Sequence, residues 1–353
     1  TALSENSGDV LAFLPGEGEI RATERALVEM TPSSTIVELA ILPLFGAQDP
    51  QAHRAAIAPD PRGRRRLILA TPIAESSLTI EGVRIVIDSG LRKVSTFDAS
   101  TGMSALVTQP ISVASATQRM GRAGRVASGT VYRLWSEADE ARMVEQTPPE
   151  IEQADLAPLL LTLASVGIAS SADIAALPWL RPPPSESLKS AQHLLSAIGA
   201  LRLDGNPSDG TPEYQPTSYA RRLASLPTHP RLAHMLLSSQ GHPELEKTAA
   251  TLAALLGERD ILIGGSREHG VDVRKRLRAM EEDAPFAVNH GACARAKREA
   301  ADLLKQLRNG PGPHAGEEQG GKLEEGRRSA TISSILVAEL AKDRALEAGV
   351  LLS

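Results

Sequence analysis

The feature that most constrains this chain is the alternation of short apolar, β-rich runs with helical patterns over its first 136 residues. Asp9 to Leu14 reads as a strand stopped by Pro15-Gly16, Glu19 to Met30 as a helix, and Ile36 to Leu42 as a second strand. Asp49-Pro50 supplies an N-cap carboxylate and a first-turn proline for a helix running to Ile57. Arg66 to Ala70 and Val83 to Asp88 are close to continuously apolar, as strands covered on both faces are, and Thr130 to Trp135 adds another. Parallel neighbours cannot be joined by a tight turn, so strands alternating with helices specify a parallel sheet with crossover helices. Residues 1–136 are read as one α/β domain.

Beyond Trp135, leucine-alanine helices take over. Asp155 to Val166 is amphipathic to fully buried, and Pro182-Pro183-Pro184 is a breaker ahead of a helix from Ser185 to Ile198. Two β-like runs, Leu201–Leu203 and Tyr214–Gln215, flank a polar loop, and helices followed by such a hairpin resemble a winged-helix module. Ala220 to Leu307 is helical again, with breaks at Pro230, Gly241-His242-Pro243 and Gly264-Gly265. The expected divisions are thus 137–222 for the winged helix and 223–308 for a helical bundle. A Gly/Pro/Glu-rich linker follows at 309–328, and the beginning of a further element at 329–353.

Composition narrows the class. One cysteine, Cys293, cannot form an intrachain disulfide or supply a Cys-based zinc site, which fits a reducing compartment such as the cytoplasm. Leu156 to Ala169 carries a proline and is shorter than the ~18–20 apolar residues that cross a bilayer. The chain opens on Thr1 with no signal-peptide pattern, as expected of a segment from within a longer gene product. With a net charge of −5, any nucleic-acid site must be a local one.

The segment richest in chemistry is Ser115 to Arg125, SATQRMGRAGR. Arg119, Arg122 and Arg125 recur every three residues, so a continuous helix would set them in one band. Gly121 and Gly124 let backbone come close to a ligand, and the planar guanidinium fork matches phosphate oxygens. Thr71, Ser76, Ser77 and Thr79 gather hydroxyls after a strand, a set suited to phosphates of a single strand. Asp88 ends a strand, where open α/β sheets present ligand-contacting groups; a turn-forming aspartate before Ser89-Gly90 is the equal alternative. Val94–Phe97 and Ala105–Gln109 flank the turn signal Asp98 to Gly102 and predict a hairpin. The basic run Arg62, Arg64, Arg65 and Arg66 reads as a solvated sheet edge, His229 and His234 as packing or capping residues, and His290 with Cys293 lacks the partners of a metal site.

These motifs carry a resemblance. QRMGRAGR is similar to motif VI of superfamily 2 helicases in their DEAH/RHA branch, ATPIAESSLTIEG (Ala70 to Gly82) to motif V, and FLPGEGEI (Phe13 to Ile20) to motif IV. VIDSGLRK, YRLWSE, ADLAPLLL and HPRLAHMLL most closely resemble the bacterial HrpB-type ATP-dependent helicases, and the likeness runs from Gly8 to Leu307. It implies an α/β RecA-like domain, the second of two, followed by a winged helix and a helical bundle, in an ATP-dependent 3′→5′ RNA helicase. In that family ATP and Mg²⁺ lie between two lobes, and the first lobe brings the P-loop and the DEAH acid. No G-x-x-x-x-G-K-[ST] occurs here, so the chain reads as half of an active site, without ATPase activity of its own.

By the same resemblance Gln118 orients the attacking water or γ-phosphate, and Arg122 and Arg125 act as arginine fingers. Gly121, Asp88 and Ile57 then border the nucleotide, and Arg119 makes a structural pair. Thr71, Ser76, Ser77 and Thr79 hold the RNA backbone. Phe97, Asp98, Gly102 and Met103 belong to a strand-separating hairpin. Partners are then the first lobe and single-stranded or partly duplex RNA, with DNA left open. The sequence departs from the family at Pro72 (usually asparagine), Ser76 (threonine) and Ala220 (glycine). The alternative function is a non-catalytic nucleic-acid-binding or adaptor protein that kept this lobe.

Overall fold

The computed structural model describes residues 2–30, 39–46, 48–76, 79–98, 103–125, 127–204, 213–281 and 285–310. Ser77, Gly102, the first residues of the strand expected at Ile36, nearly all of the linker 309–328, and the element 329–353 lie outside them. The chain folds as two units, Thr1–Thr96 with Ser104–Gln153 and Phe97–Met103 with Ala154–Ser353.

The strands up to β7 belong to the first unit, except for the ends of β5 and β6 within Phe97–Met103: β1 (Asp9–Phe13), β2 (Leu39–Leu44), β3 (Arg65–Ala70), β4 (Val83–Asp88), β5 (Leu91–Asp98), β6 (Met103–Pro110) and β7 (Thr130–Arg133). Five form one sheet in the order β2-β3-β1-β4-β7, every neighbouring pair parallel. Phe13 sits level with Ala70 on one side and Asp88 on the other, so three loops leave the sheet at the same height. The period of two divides the side chains. Leu11, Phe13, Ile68, Ala70 and Val86 share a cluster with Ala56, Ala74 and Ala123. Val10, Ala12, Leu67, Leu69 and Ile85 pack instead with Ile20 of α1 (Glu17–Met30). Ala56 belongs to α2 (Pro50–Ile57), whose N-cap Asp49 accepts from the amides of Gln51 and Ala52, both at 3.0 Å, as the sequence predicts.

The basic run before β3 is not a solvated edge. Arg66 is buried, paired with Asp9 at 2.7 Å, and donates to the carbonyls of Ile57, Ala58 and Glu81. Arg65 donates to the carbonyls of Leu3, Asn6 and Gly8, and Arg64 to Asp60. Only Arg62 is exposed. Loop carbonyls at the end of a parallel sheet need donors, and the arginines supply them. β5 and β6 form their own two-stranded sheet, each longer than the β-rich runs that predicted it.

The second unit is mostly helical: α4 (Ala157–Ser165), α5 (Ser185–Ala197), α6 (Ser218–Ala224), α7 (Pro230–Ser238), α8 (Pro243–Gly257), α9 (Val273–Ala279) and α10 (His290–Asn309) are its longer helices; α3 (Val113–Met120) belongs to the first unit. Its hairpin, β8 (Leu201–Asp204) with β9 (Glu213–Pro216), is antiparallel, pairing Leu201 with Pro216 and Asp204 with Glu213. Asp155, ahead of α4, is tied to His229, the N-cap of α7, at 2.8 Å and accepts from the amide of Ala157. Burial opposes the Asp155 charge, yet these bonds hold its carboxyl below its ordinary range. Cys293 is buried among Leu255, Ile261, Leu262, Ala292 and Ala296, as a small apolar core residue.

Candidate functional site

The site is built on α3 and the turn behind it. Ser112 caps α3 by accepting from the amide of Ser115, and the helix ends at Met120. The single band of arginines expected from the three-residue spacing is therefore not formed: Arg119 lies on the helix, whereas Arg122 and Arg125 lie in the turn beyond Gly121. Glycine at 121 and 124 weakens any helical continuation, and Ala123 is drawn into the sheet's core cluster, so the chain turns. Gly129 returns it toward β7. A Cβ there would stand 2.3 Å from the Ala123 carbonyl oxygen and 2.6 Å from that of Arg84, a constraint that sequence reading missed.

Arg119 is fully buried. Its Nη1 donates to Asp88 Oδ1 at 2.8 Å, its Nε to Glu75 Oε2 at 3.1 Å, and its guanidinium lies 4.9 Å from the centre of the Phe13 ring. Nη1 also reaches the Leu91 carbonyl, at the root of β5, at 3.4 Å. One side chain thus gathers the end of β1, the turn after β3, the end of β4 and the root of the hairpin. Two carboxylates neutralise and hydrogen-bond it, which a buried guanidinium requires. The structural pairing expected of Arg119 is present, but Asp88 does not face a ligand. Its carboxylate is buried against Arg119 and accepts from the Gly90 amide at 2.9 Å, the turn-forming role of the alternative reading. Glu75 and Phe13 are the residues missed; both lie inside motif segments, where chain-distant partners leave no spacing signal.

Arg122 is half-buried and donates through Nη2 to the Glu75 carbonyl. Burial, and then the positive charge of Arg125, lower its affinity for its proton. Arg125 is exposed and donates to the Thr79 hydroxyl. The two arginines line a small cavity with Leu11, Ala74, Ile80 and Val83. Thr71 is half-buried, its amide bonded to the Leu44 carbonyl, and opens the single helical turn Ile73–Ser76. Gln118 is exposed on the last turn of α3, beside exposed Gly121. Ile57 is partly buried and packs against the core cluster. At the hairpin end, Phe97 is half-buried, Asp98 is exposed, and Met103 begins β6. The structure thus joins motif V to motif VI. Among the described residues no group of His, Cys, Asp and Glu could hold a metal ion, and no helix is long and apolar enough to cross a membrane.

Residues 3–127 match the helicase conserved C-terminal domain. The chain is 38% identical over 88% of its length to the ATP-dependent RNA helicase HrpB of Escherichia coli (strain K12), covering 38% of that protein. It is 37% identical over 67% of its length to the pre-mRNA-splicing factor ATP-dependent RNA helicase prp22 of Schizosaccharomyces pombe, covering 20% of it. A crystal structure of the E. coli DEAH/RHA helicase HrpB superposes with a TM-score of 0.69 at 35% identity, over 88% of this chain and 35% of that one. The chain therefore spans well under half the length of the relatives it matches.

Proposed function

Because the chain carries a helicase conserved C-terminal domain and is a relative of the HrpB-type DEAH/RHA helicases over most of its length, we propose that it works as the second RecA-like lobe, winged helix and helical bundle of an ATP-dependent 3′→5′ RNA helicase. The observation that carries this reading is the meeting of Arg122 and Arg125 with the motif V segment at Glu75 and Thr79. A phosphate-matching pair of cations and a hydroxyl suited to a nucleic-acid backbone, distant in sequence, thereby meet at one place in the fold.

In this reading ATP with Mg²⁺ is held mainly by a P-loop lobe, on whichever polypeptide carries it. Arg122 and Arg125 meet the charge that builds on the transferring phosphoryl group, and Gln118, exposed on the last turn of α3, orients the attacking water. Thr71, Ser76, Ser77 and Thr79 bind the backbone of a single strand without reading its bases. The β5–β6 hairpin, with Leu106 exposed on β6, parts the strands.

The test is direct. The 353-residue chain, purified alone, is expected to bind single-stranded RNA and hydrolyse no ATP. Supplied with a P-loop lobe, it is expected to hydrolyse ATP in an RNA-stimulated manner. RNA binding with no turnover in either form would favour the adaptor reading instead.

A further inference from the structure

A groove between α5 and the β8–β9 hairpin lies in the second unit and takes no part in the chemistry proposed above. Ser190, His193 and Leu194 stand at i, i+3 and i+4 on α5 and so share one side of the helix. Leu203 and Tyr214 pair directly across the hairpin, and the alternation of side chains sets them on one face. Arg231, on the first turn of α7, completes the lining of a groove of about 520 Å³, within the range of small-molecule sites.

The lining divides into an apolar floor and a rim of donors. Leu203 is left 46% exposed, whereas Tyr214 is buried. The Tyr214 hydroxyl has no hydrogen-bond partner among the described residues, although a buried phenol ordinarily finds one. Arg231 and His193 are exposed, and neither side chain is hydrogen-bonded to an acid or paired with one among the described residues. Lys189, one turn before His193, adds a further exposed cation. The neighbouring carboxylates are engaged or stand apart. Asp155, which feels the Arg231 charge, is held by His229 at 2.8 Å, and Asp204 and Glu213 occupy the next rung of the hairpin on its other face. Glu186, the sole acid of α5, stands a turn away from Ser190 at the helix start.

An apolar floor beneath such a rim fits a flat ring joined to a phosphate. A phosphate monoester carries about −1.5 to −2 charges at neutral pH, whereas each phosphate within a strand carries about −1. Two cations and an imidazole around a single groove match the monoester, since a strand needs its cations in a row. We propose that this groove binds a free nucleoside monophosphate. The phosphate accepts from Arg231, His193 and Ser190, the ring lies on Leu194 and Leu203, and the Tyr214 hydroxyl bonds a ring heteroatom.

Isothermal titration of AMP and of UMP into the 353-residue chain tests this, with glucose 6-phosphate and an oligouridylate as comparisons. At least one of the two nucleotides is expected to bind, and more tightly than either comparison. Arg231→Ala is expected to weaken that binding by about tenfold or more and Tyr214→Phe by about fivefold, the first losing a charge-assisted hydrogen bond and the second a neutral one. Arg142→Ala removes an equal charge from an exposed position in the first unit and is expected to bind as the parent does. Circular dichroism checks that each variant is folded, and Arg231→Gln replaces the alanine variant if that one is not. Glucose 6-phosphate bound as tightly as the nucleotides would show that the floor receives no ring and overturn the proposal. So would binding of the oligouridylate alone, which would make the groove an RNA contact, or binding of neither nucleotide. Loss of the signal in Arg125→Ala but not in Arg231→Ala would place the nucleotide behind α3 and overturn it as well.

Discussion

Arg119, Arg122 and Arg125 are chemically identical, and what surrounds each decides its use. Arg119 is enclosed, with both carboxylate partners supplied by the fold, so its contribution is to stability. Arg119→Met is expected to leave the buried Asp88 carboxylate and the partly buried Glu75 carboxylate without their shared cation and to destabilise the lobe by about 3–5 kcal/mol, read from chemical denaturation. Lysine would restore the charge but could not reach both carboxylates, so Arg119→Lys should recover less than half of that loss. Arg122 donates to the Glu75 carbonyl and Arg125 to the Thr79 hydroxyl, and neither is as deeply buried as Arg119. Arg122→Ala or Arg125→Ala, in the enzyme completed by a P-loop lobe, should lower kcat by roughly 10³–10⁵ while nucleotide affinity changes much less. Steady-state kinetics with direct nucleotide and RNA titrations on the same variants checks this. Unchanged kcat with a collapse of RNA affinity would make these arginines RNA contacts.

At the scale of elements, the hairpin and the turn behind α3 make separate claims. Replacing the hairpin from Phe97 to Leu106 by a short Gly-Ser turn should spare RNA-stimulated ATP hydrolysis within a few-fold and abolish duplex unwinding, measured side by side. The turn depends on backbone approach. Gly129→Ala forces a Cβ against two carbonyl oxygens and is expected to cost about 1–3 kcal/mol in thermal or denaturant unfolding, whereas Gly124→Ala, whose Cβ would meet nothing within 4 Å, should be close to neutral. These elements also mark how far sequence reading reaches. The strands were legible because their apolar runs are continuous, and α2 because Asp49-Pro50 is a start signal that acts within a few residues. The turn at Gly121 was not, since arginines every three residues imitate a helix while the glycines at 121 and 124 and the burial of Ala123 together break it. Asp88 and Glu75 lie 31 and 44 residues from Arg119, a distance over which spacing carries no information about pairing. The solvated reading of Arg65 and Arg66 failed for a related reason: the carbonyls they serve are set by loops that only the closed sheet brings together.

For the molecule as a whole, pH sets a boundary through the second unit. The carboxyl of Asp155 titrates below its ordinary value in the folded chain, so the stability it contributes is fully present above the unfolded value near 3.8 and is lost as pH falls through the lower folded one. Asp155→Asn should therefore be less stable than the parent at neutral pH, and the gap should close on acidification below about pH 4. Circular dichroism melts from pH 7 to pH 2 would reveal this, and a gap that widened toward acid would contradict it. The level ends of β1, β3 and β4, tied together by the Arg119 guanidinium, bear on engineering and inheritance. Phe13, Glu75 and Asp88 all contact the one guanidinium, so a graft of one of these segments from a distant homologue would arrive without its counterparts. Exchange between such proteins should succeed only when all three loops are transplanted as a set, and sequence drift in this corner should be concerted.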